Sequence, residues 1–595
     1  MGAVEKVRRR CAIDASRRPR RVAFPVSCGG VAALLLATTA SGGVPHVSFS
    51  DQSLESGVLF TPSPAYTMIP PAQMYMMSGI AIGDFNDNGW PDIFALGNGN
   101  TADRLFINQG DGTFVESAAA WGVAALHGGC GVCAGDFNGN GLPDLFVTSF
   151  SDGGPPEVGH NRLYRNEGGT SFVNVAVQAG VNQNSISIPS AYGCAWGDYT
   201  LDGNLDLAVL GWMSNAAANR LYRNKGDGTF ENVTGTAIVF PPTWGFQPAW
   251  ADMDGDGWPE LLVAADFKTS RYFRNNGDGT FTNWTVQSGT GLDENGMGQT
   301  IGDFNNNGML DWYVTSIHMT NPNPSSGSGN KLYIAQGPHN FVEAAVEAGV
   351  ENGGWGWGTV AIDVDNDGLL DLIEVNGRPA GEWINVQEYL WINNGDLTFT
   401  ETAIEAGLDH VGEGRTIVSL DYDRDGRMDV VIGFNADSVR LYRNESKVGA
   451  FLHLTFDTRN NPHIAPHGLG ARVFVTIGDT TLMRYVDGGS SFLGTSEPAA
   501  HFGLGDATSI DEVRIEWPRG YVTTLVRPQI NAHLTIEAPE LADLNGDGVV
   551  NGADLGILLS HWGTPTLSTE LKADLNGDGV VDGADLGILL SNWSR

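Results

Sequence analysis

DFNDNGWPD, residues 84 to 92, sets oxygen-bearing side chains on alternate positions, then a glycine, then one more carboxylate. The alternation turns Asp84, Asn86 and Asn88 toward one point. Gly89 permits the sharp turn by which Trp90 offers its carbonyl, and Asp92 completes the shell. A cage that mixes carboxylate, amide and carbonyl oxygens suits calcium, which takes six to eight oxygens in flexible geometry, better than magnesium, which demands a tight octahedron. One copy reads equally well as a solvated Asx-rich turn.

Repetition removes that ambiguity. The pattern returns as DFNGNGLPD (Asp136, Asn138, Asn140, Asp144), DYTLDGNLD (Asp198, Thr200, Asp202, Asp206) and DMDGDGWPE (Asp252, Asp254, Asp256, Glu260). It continues as DFNNNGMLD (Asp303, Asn305, Asn307, Asp311), DVDNDGLLD (Asp363, Asp365, Asp367, Asp371) and DYDRDGRMD (Asp421, Asp423, Asp425, Asp429). The spacing is roughly 50 to 60 residues, the period of a repeat architecture.

Each ninth position leads into a run such as IFALG, LFVTSF or VVIGF, rich in β-branched and aromatic residues and too short for a helix. A second signature comes next, as in RLYRNKGDGTFENV (220 to 233), where two strand-like runs flank a Gly-Asp-Gly turn. Each unit is therefore a small antiparallel sheet. Seven such sheets bury their faces only by stacking, and a radial stack hides most edges, so the expected fold is mainly β, a seven-bladed β-propeller over residues 44–445. HVSFSDQSLESGV (46 to 58) resembles the inter-blade stretches FVNVAVQAGV (172 to 181) and FVEAAVEAGV (341 to 350), whereas the last unit lacks such a stretch after VRLYRNESK. The N-terminal segment is expected to supply the missing strand.

The cation loops resemble the FG-GAP or VCBS repeats of integrin α-chain propellers and their bacterial relatives, over about residues 46 to 445. The resemblance implies calcium bound within each blade at positions 1, 3, 5 and 9. Thr200 and Glu260 depart from the commonest pattern. The HFGLG and EWPRG pieces in residues 446–538 are similar to the ASPIC/UnbV domain that comes after such repeats in the cartilage acidic protein group. Alternation in GLGARVFVTIGD (468 to 479) and VRIEWPRG (513 to 520) predicts a small β domain there.

In DLNGDGVVNGADLGILLSHW (543 to 562) and DLNGDGVVDGADLGILLSNW (574 to 593) the closing acid moves to position 12 and helical periodicity begins. Leu555, Leu558, Leu559 and Trp562 fall on one apolar helix face, so these loops are EF-hand-like. The candidate ligands are Asp543, Asn545, Asp547, Asn551 and Asp554, then Asp574, Asn576, Asp578, Asp582 and Asp585. Paired loop-helix units of this length resemble a type I dockerin over residues 541–595, a small α-helical module whose family docks onto cohesin.

Residues 1–43, with RRR at 8 to 10, RRPRR at 17 to 21 and then GGVAALLLATTASGG, read as a signal peptide, with a basic region, a short apolar core and small residues near 40 to 43. SRRPRR lacks the rest of a twin-arginine motif. No other apolar run is long enough to span a bilayer. A net charge of −36 excludes nucleic-acid binding as the main role. Five cysteines, two of them in the export segment, leave Cys130, Cys133 and Cys194, which are expected as buried small side chains although CGVC also has the form of half a zinc or redox motif.

The expected function is a secreted, calcium-stabilised recognition or adhesion scaffold, with a protein or glycan on the propeller and a cohesin-like partner on the dockerin. The alternative is an extracellular polysaccharide hydrolase or lyase, or a carbohydrate-binding component of such a complex, in which Trp244, Trp250, Trp355 and Trp357 would stack on sugar rings. Outside the cation loops no carboxylate pair has the spacing of a general acid and base. His501 reads as structural.

Overall fold

The computed structural model describes residues 47–63, 76–149, 160–182, 191–212, 218–319, 327–435, 437–565 and 567–594. The expected export segment, and most of the two loops 151–160 and 319–330 in which ligand specificity is expected, lie outside the described residues.

The closing acid of every strand-linking loop, from Asp92 to Asp429, is the first residue of a second strand, so each loop is a tight connection within an antiparallel pair. In the first sheet Ile80–Gly83 runs into the loop, Asp92–Ala95 leaves it with Gly83 opposite Asp92, and Arg104–Asn108 and Phe114–Glu116 complete four strands. Among the described residues this plan appears in seven four-stranded sheets. Their first strands pack on one another in chain order, and that of the seventh sheet, Gly414–Leu420, packs on Ile80–Gly83. The fold is mainly β, with repeated sheets consistent with a propeller.

The closure expected from residues 46–58 is present. Phe49–Asp51 is the fourth strand of the seventh sheet, with Phe49 opposite Asn444 and Asp51 opposite Tyr442. The helical turn Ser53–Ser56 and Gly57 at φ 84° then match the turn after the outer strand of the second sheet, where Ala176–Ala179 ends in Gly180 at φ 80°. Without Phe49–Asp51 the strand Arg440–Asn444 would present an open edge.

The expected C-terminal β region contains two sheets. One orders Ala500–Gly505, Ala450–Asp457 and Ala532–Glu537; the other orders Thr480–Tyr485, Arg472–Ile477, Glu512–Glu516 and Val522–Val526. The middle of the segment between Thr480–Tyr485 and Ala500–Gly505, residues 488–495, leaves this region. Its backbone bonds to the first strands of several sheets: Trp196 N donates to Gly488 O (3.1 Å), Gln299 N to Ser491 O (2.8 Å), Val132 N to Leu493 O (3.1 Å) and Ile82 N to Thr495 O (2.9 Å). Thr416 Oγ1 donates to Phe492 O and Leu493 N to Gln247 Oε1. This segment thus bonds to the first strands of six of the seven sheets. A Cβ on Gly488 would lie 2.1 Å from Trp196 O, which is why glycine stands there.

One apolar cluster joins Trp196 and Leu207 of the third sheet, Phe456, Phe502 and Trp517 of the β region, and Leu558, Leu575 and Leu589 of the C-terminal module. The helices Gly552–Ser560 and Gly583–Ser591 start at Asn551 and Asp582, whose side chains accept from Ala553 N and Ala584 N. The apolar face expected on the first helix is only partly used. Leu558 is fully buried, whereas Leu559 and Trp562 are 52% and 51% exposed, because the short helix meets the core along one narrow edge.

Candidate metal centres

In the first loop Asp84 accepts from Asn88 N (3.0 Å) and Gly89 N (2.6 Å), and Asn88 Oδ1 accepts from Trp90 N (2.8 Å). The same bonds to the position-1 carboxylate recur at Asp136, Asp198, Asp303, Asp363 and Asp421. Gly89 sits at φ 85°, as the turn requires, and position 4 is also left-handed, with Asp87 at 55° and Asn366 at 56°. In three loops acidic positions converge: one oxygen from each of Asp252, Asp254 and Asp256, of Asp363, Asp365 and Asp371, and of Asp421, Asp423 and Asp425 lies within 4.8 Å of the others. Thr200 donates to Asp198 Oδ1 (3.4 Å), so position 3 of the third loop still faces inward. In the fourth loop Asp252 accepts from Gly255 N instead, and Asp254 is held by His339 at 2.8 Å.

Position 9 is bound from both sides. Asp92 Oδ2 accepts from Phe85 N (3.0 Å) and Oδ1 from Asn108 N (2.7 Å); Asp144, Asp206, Glu260, Asp311, Asp371 and Asp429 are held in the same way. All are essentially without solvent exposure. The donor in the third strand is the asparagine of the RLYRN signature, whose role the sequence did not reveal. Its side chain reaches the preceding sheet: Asn166 Nδ2 donates to Phe85 O, Asn224 to Phe137 O, Asn275 to Tyr199 O, Asn393 to Phe304 O, Asn444 to Val364 O, and Asn108 to Tyr422 O. Each cation loop is thereby tied to its neighbour. The fifth sheet has Ala335 at this place, and His339 makes its link to the fourth loop.

Burial of so many carboxylates pushes their pKa values up, with like charges adding to the effect: Asp92 and Asp198 to about 8, Asp252, Asp311, Asp363 and Asp421 to about 7, Asp365 to about 6. One oxygen from each of Asp363, Asp365 and Asp371 lies within 4.8 Å of the others, and both oxygens of Asp365 are buried with no hydrogen-bond partner. The nearest compensating charge is Arg484, Nη2 3.9 Å from Asp363 Oδ2. Such a donor set, all oxygen with unpartnered lone pairs, fits a hard divalent cation. In the C-terminal module Asp554 accepts from Asn545 N and Asn551 N, and Asp585 from Asn576 N and Asp582 N, closing each 12-residue loop. Asn551 and Asp582 serve there as helix caps.

The C-terminal residues lie against the loops. Arg519 donates to Leu201 O and to Leu571 O and Asp574 O of the last module, Arg472 to Gly308 O, and Gly505 N to Asn366 O. Cys130, Cys133 and Cys194 are buried, with Cys130 Sγ donating to Gly128 O and Cys194 Sγ to Phe146 O. Trp250 packs between sheets on Tyr199, and Trp357 is buried.

Comparison with known proteins gives the same parts. The FG-GAP-like repeat matches residues 84–147, 136–209, 198–263 and 252–314, ASPIC and UnbV match 461–542, and the dockerin type I domain matches 541–591. The chain combines FG-GAP repeats, an ASPIC/UnbV region and a type I dockerin. Cartilage acidic protein 1 of Mus musculus is 26% identical over 503 residues, 78% of this chain and 65% of the relative, so the match spans about two thirds of that protein. Among solved structures, a lectin from Burkholderia pseudomallei aligns at a TM-score of 0.41 and 12% identity, covering 62% of this chain and 96% of the lectin. A rhamnogalacturonan lyase of Bacillus licheniformis aligns at 0.34 and 14%, covering 62% and 71%. The FG-GAP matches stop at residue 314, although the loops at Asp363 and Asp421 share the hydrogen bonding of the matched ones. Among the described residues no helix is long and apolar enough to cross a membrane.

Proposed function

We propose that the protein is a secreted, calcium-stabilised recognition or adhesion scaffold. The repeat sheets form a single seven-bladed propeller over residues 44–445, followed by the β domain 446–538 and the dockerin 541–595. Calcium occupies the seven strand-linking loops and the two dockerin loops. The unpartnered oxygens of Asp365 support this most directly.

The propeller ligand, a protein or a glycan, binds the end opposite the cation loops. The observation that carries this reading is the covering of the other routes: the C-terminal residues lie on the loop end, and residues 488–495 fill the axis. The opposite end carries the connections from second to third strands, where Trp212, Trp244 and Phe267 make edge contacts (Trp212–Trp244 4.8 Å, Trp244–Phe267 5.2 Å) and Phe267 is 51% exposed. Trp355 packs on Trp383, with the Arg378 guanidinium 4.4 Å from its ring. Aromatic rings beside an arginine suit glycan or protein contact.

The dockerin docks onto a cohesin-like partner. It does so as a fixed part of the chain, since Arg519 and the shared apolar cluster hold it against the β domain. A glycan array and surface-protein capture with the full chain, with and without calcium, test the reading. Calcium-dependent retention lost on Trp355→Ala or Phe267→Ala supports it. Release of reducing or unsaturated ends from a polysaccharide panel would replace it with the enzyme.

A further inference from the structure

His501, His453 and His533 stand side by side on adjacent strands: His453 is the antiparallel partner of His501 and the parallel partner of His533. Cross-strand partners share a face of the sheet. This face meets the seventh cation loop. His533 Nε2 lies 3.3 Å from Asp421 Oδ2, His453 Nε2 lies 3.5 Å from Glu497 Oε1, and one ligand atom from each of Asp421, His453 and His533 lies within 4.8 Å of the others. The four side chains line a cavity of about 40 Å³ with Arg424 and Thr455, which admits an ion or a water and nothing organic.

Two of the separations, 3.3 Å for His533–Asp421 and 3.5 Å for His453–Glu497, match those of a ligand shell. A tetrahedral ion with bonds of 2.0–2.1 Å sets its ligand atoms about 3.3 Å apart. They are long for hydrogen bonds, and His533 Nε2, buried, has no hydrogen-bond partner.

A hydrogen-bond chain also sets the ring tautomers. Asn366 Nδ2 donates to Gly426 O (2.9 Å), which leaves Asn366 Oδ1 as the acceptor for His501 Nε2 (2.9 Å). His501 Nδ1 is then the acceptor for His453 Nδ1, 3.4 Å away. The proton of His453 is thus placed on Nδ1, and its Nε2 lone pair is directed to the cavity. Second-shell bonds of this kind orient metal-ligating histidines.

We propose that Asp421, His453, Glu497 and His533 hold one borderline divalent cation of the zinc class, which joins the seventh sheet to the C-terminal β sheet. Two imidazole nitrogens exclude a calcium site, which takes oxygen alone, and two carboxylates balance the charge of the ion. Asp421 belongs to both this donor set and the adjoining cation loop. His501 is a positioning residue.

The test uses the untagged full-length chain, saturated with calcium and titrated with zinc, or with cobalt(II) for its visible absorption. The expected result is one tight zinc equivalent and tetrahedral cobalt bands, with affinity lowered at least about tenfold by His533→Ala and by the near-isosteric Glu497→Gln. His410→Ala, at the separate Asp437 contact, leaves the site intact. Zinc should raise the melting temperature of the parent chain and not that of Glu497→Gln. Absence of zinc binding, or zinc binding unchanged in both variants, overturns the proposal and leaves His453 and Glu497 as an ion pair.

Discussion

Asn108 donates from Nδ2 to Tyr422 O at 2.9 Å, a bond between residues 314 apart that ties the first cation loop to the last. The same nitrogen also donates to Pro91 O (3.1 Å). The packing of Gly414–Leu420 on Ile80–Gly83 joins the same two sheets. Asn108→Ala should cost about 1–3 kcal/mol for each buried carbonyl left without a partner. Chemical denaturation of the variant beside the parent checks this, and a loss below about half a kcal/mol would contradict it.

Deleting residues 46–58 removes the outer strand of the seventh sheet and uncovers Arg440–Asn444. The truncated chain should melt well below the parent and aggregate, because an open edge templates further pairing. Light scattering during a thermal ramp reads both effects. A monomer of unchanged stability would refute the closure.

Asp365→Asn should have opposite signs in two conditions. In calcium-free buffer it removes one of several buried like charges near Asp363 and Asp371, so the melting temperature should rise. With calcium it removes an anionic donor, so the temperature should fall. Melting curves in chelator and in calcium decide, and a change of equal sign in both would count against a cation at that loop.

The raised carboxylates fix the pH response of the calcium-free chain. Asp92 and Asp198 stand at about 8, against 3.8 for the ordinary group, so the folded chain holds protons that the unfolded chain has released. Stability from these groups is complete below about pH 4 and is lost as pH rises through 7 to 8. Calcium-free protein should therefore melt at a higher temperature at pH 5.5 than at pH 8, and saturating calcium should narrow or reverse the gap. Thermal scans across that range test the sign.

The sequence made the loops and the closing strand readable because both are local patterns: oxygens at fixed offsets, and residues 46–58 that match the stretch after other outer strands. Three features had no such signature. GGSSF in residues 488–492 shows no alternation, and its place is set by bonds to Trp196, Gln299 and Thr416, far away in the chain. The asparagines at 108, 166 and 224 were visible as part of RLYRN-like runs, yet their reach to a preceding loop is a tertiary fact. His453 and His533 are 80 residues apart and meet because a parallel pair aligns them. Helical periodicity overstated burial at Leu559 and Trp562, since a nine-residue helix docked along one edge leaves part of its apolar stripe exposed.

The central claim is that calcium in the loops holds the fold together. Each site occupied at a hundred times its dissociation constant adds about 2.7 kcal/mol to the folded state alone. The most direct measurement is the melting temperature of the chelator-stripped full chain as calcium is restored, with bound calcium counted in parallel. The account predicts a large, saturable rise with about nine ions bound. A melting curve that is the same in excess chelator and in excess calcium would contradict it.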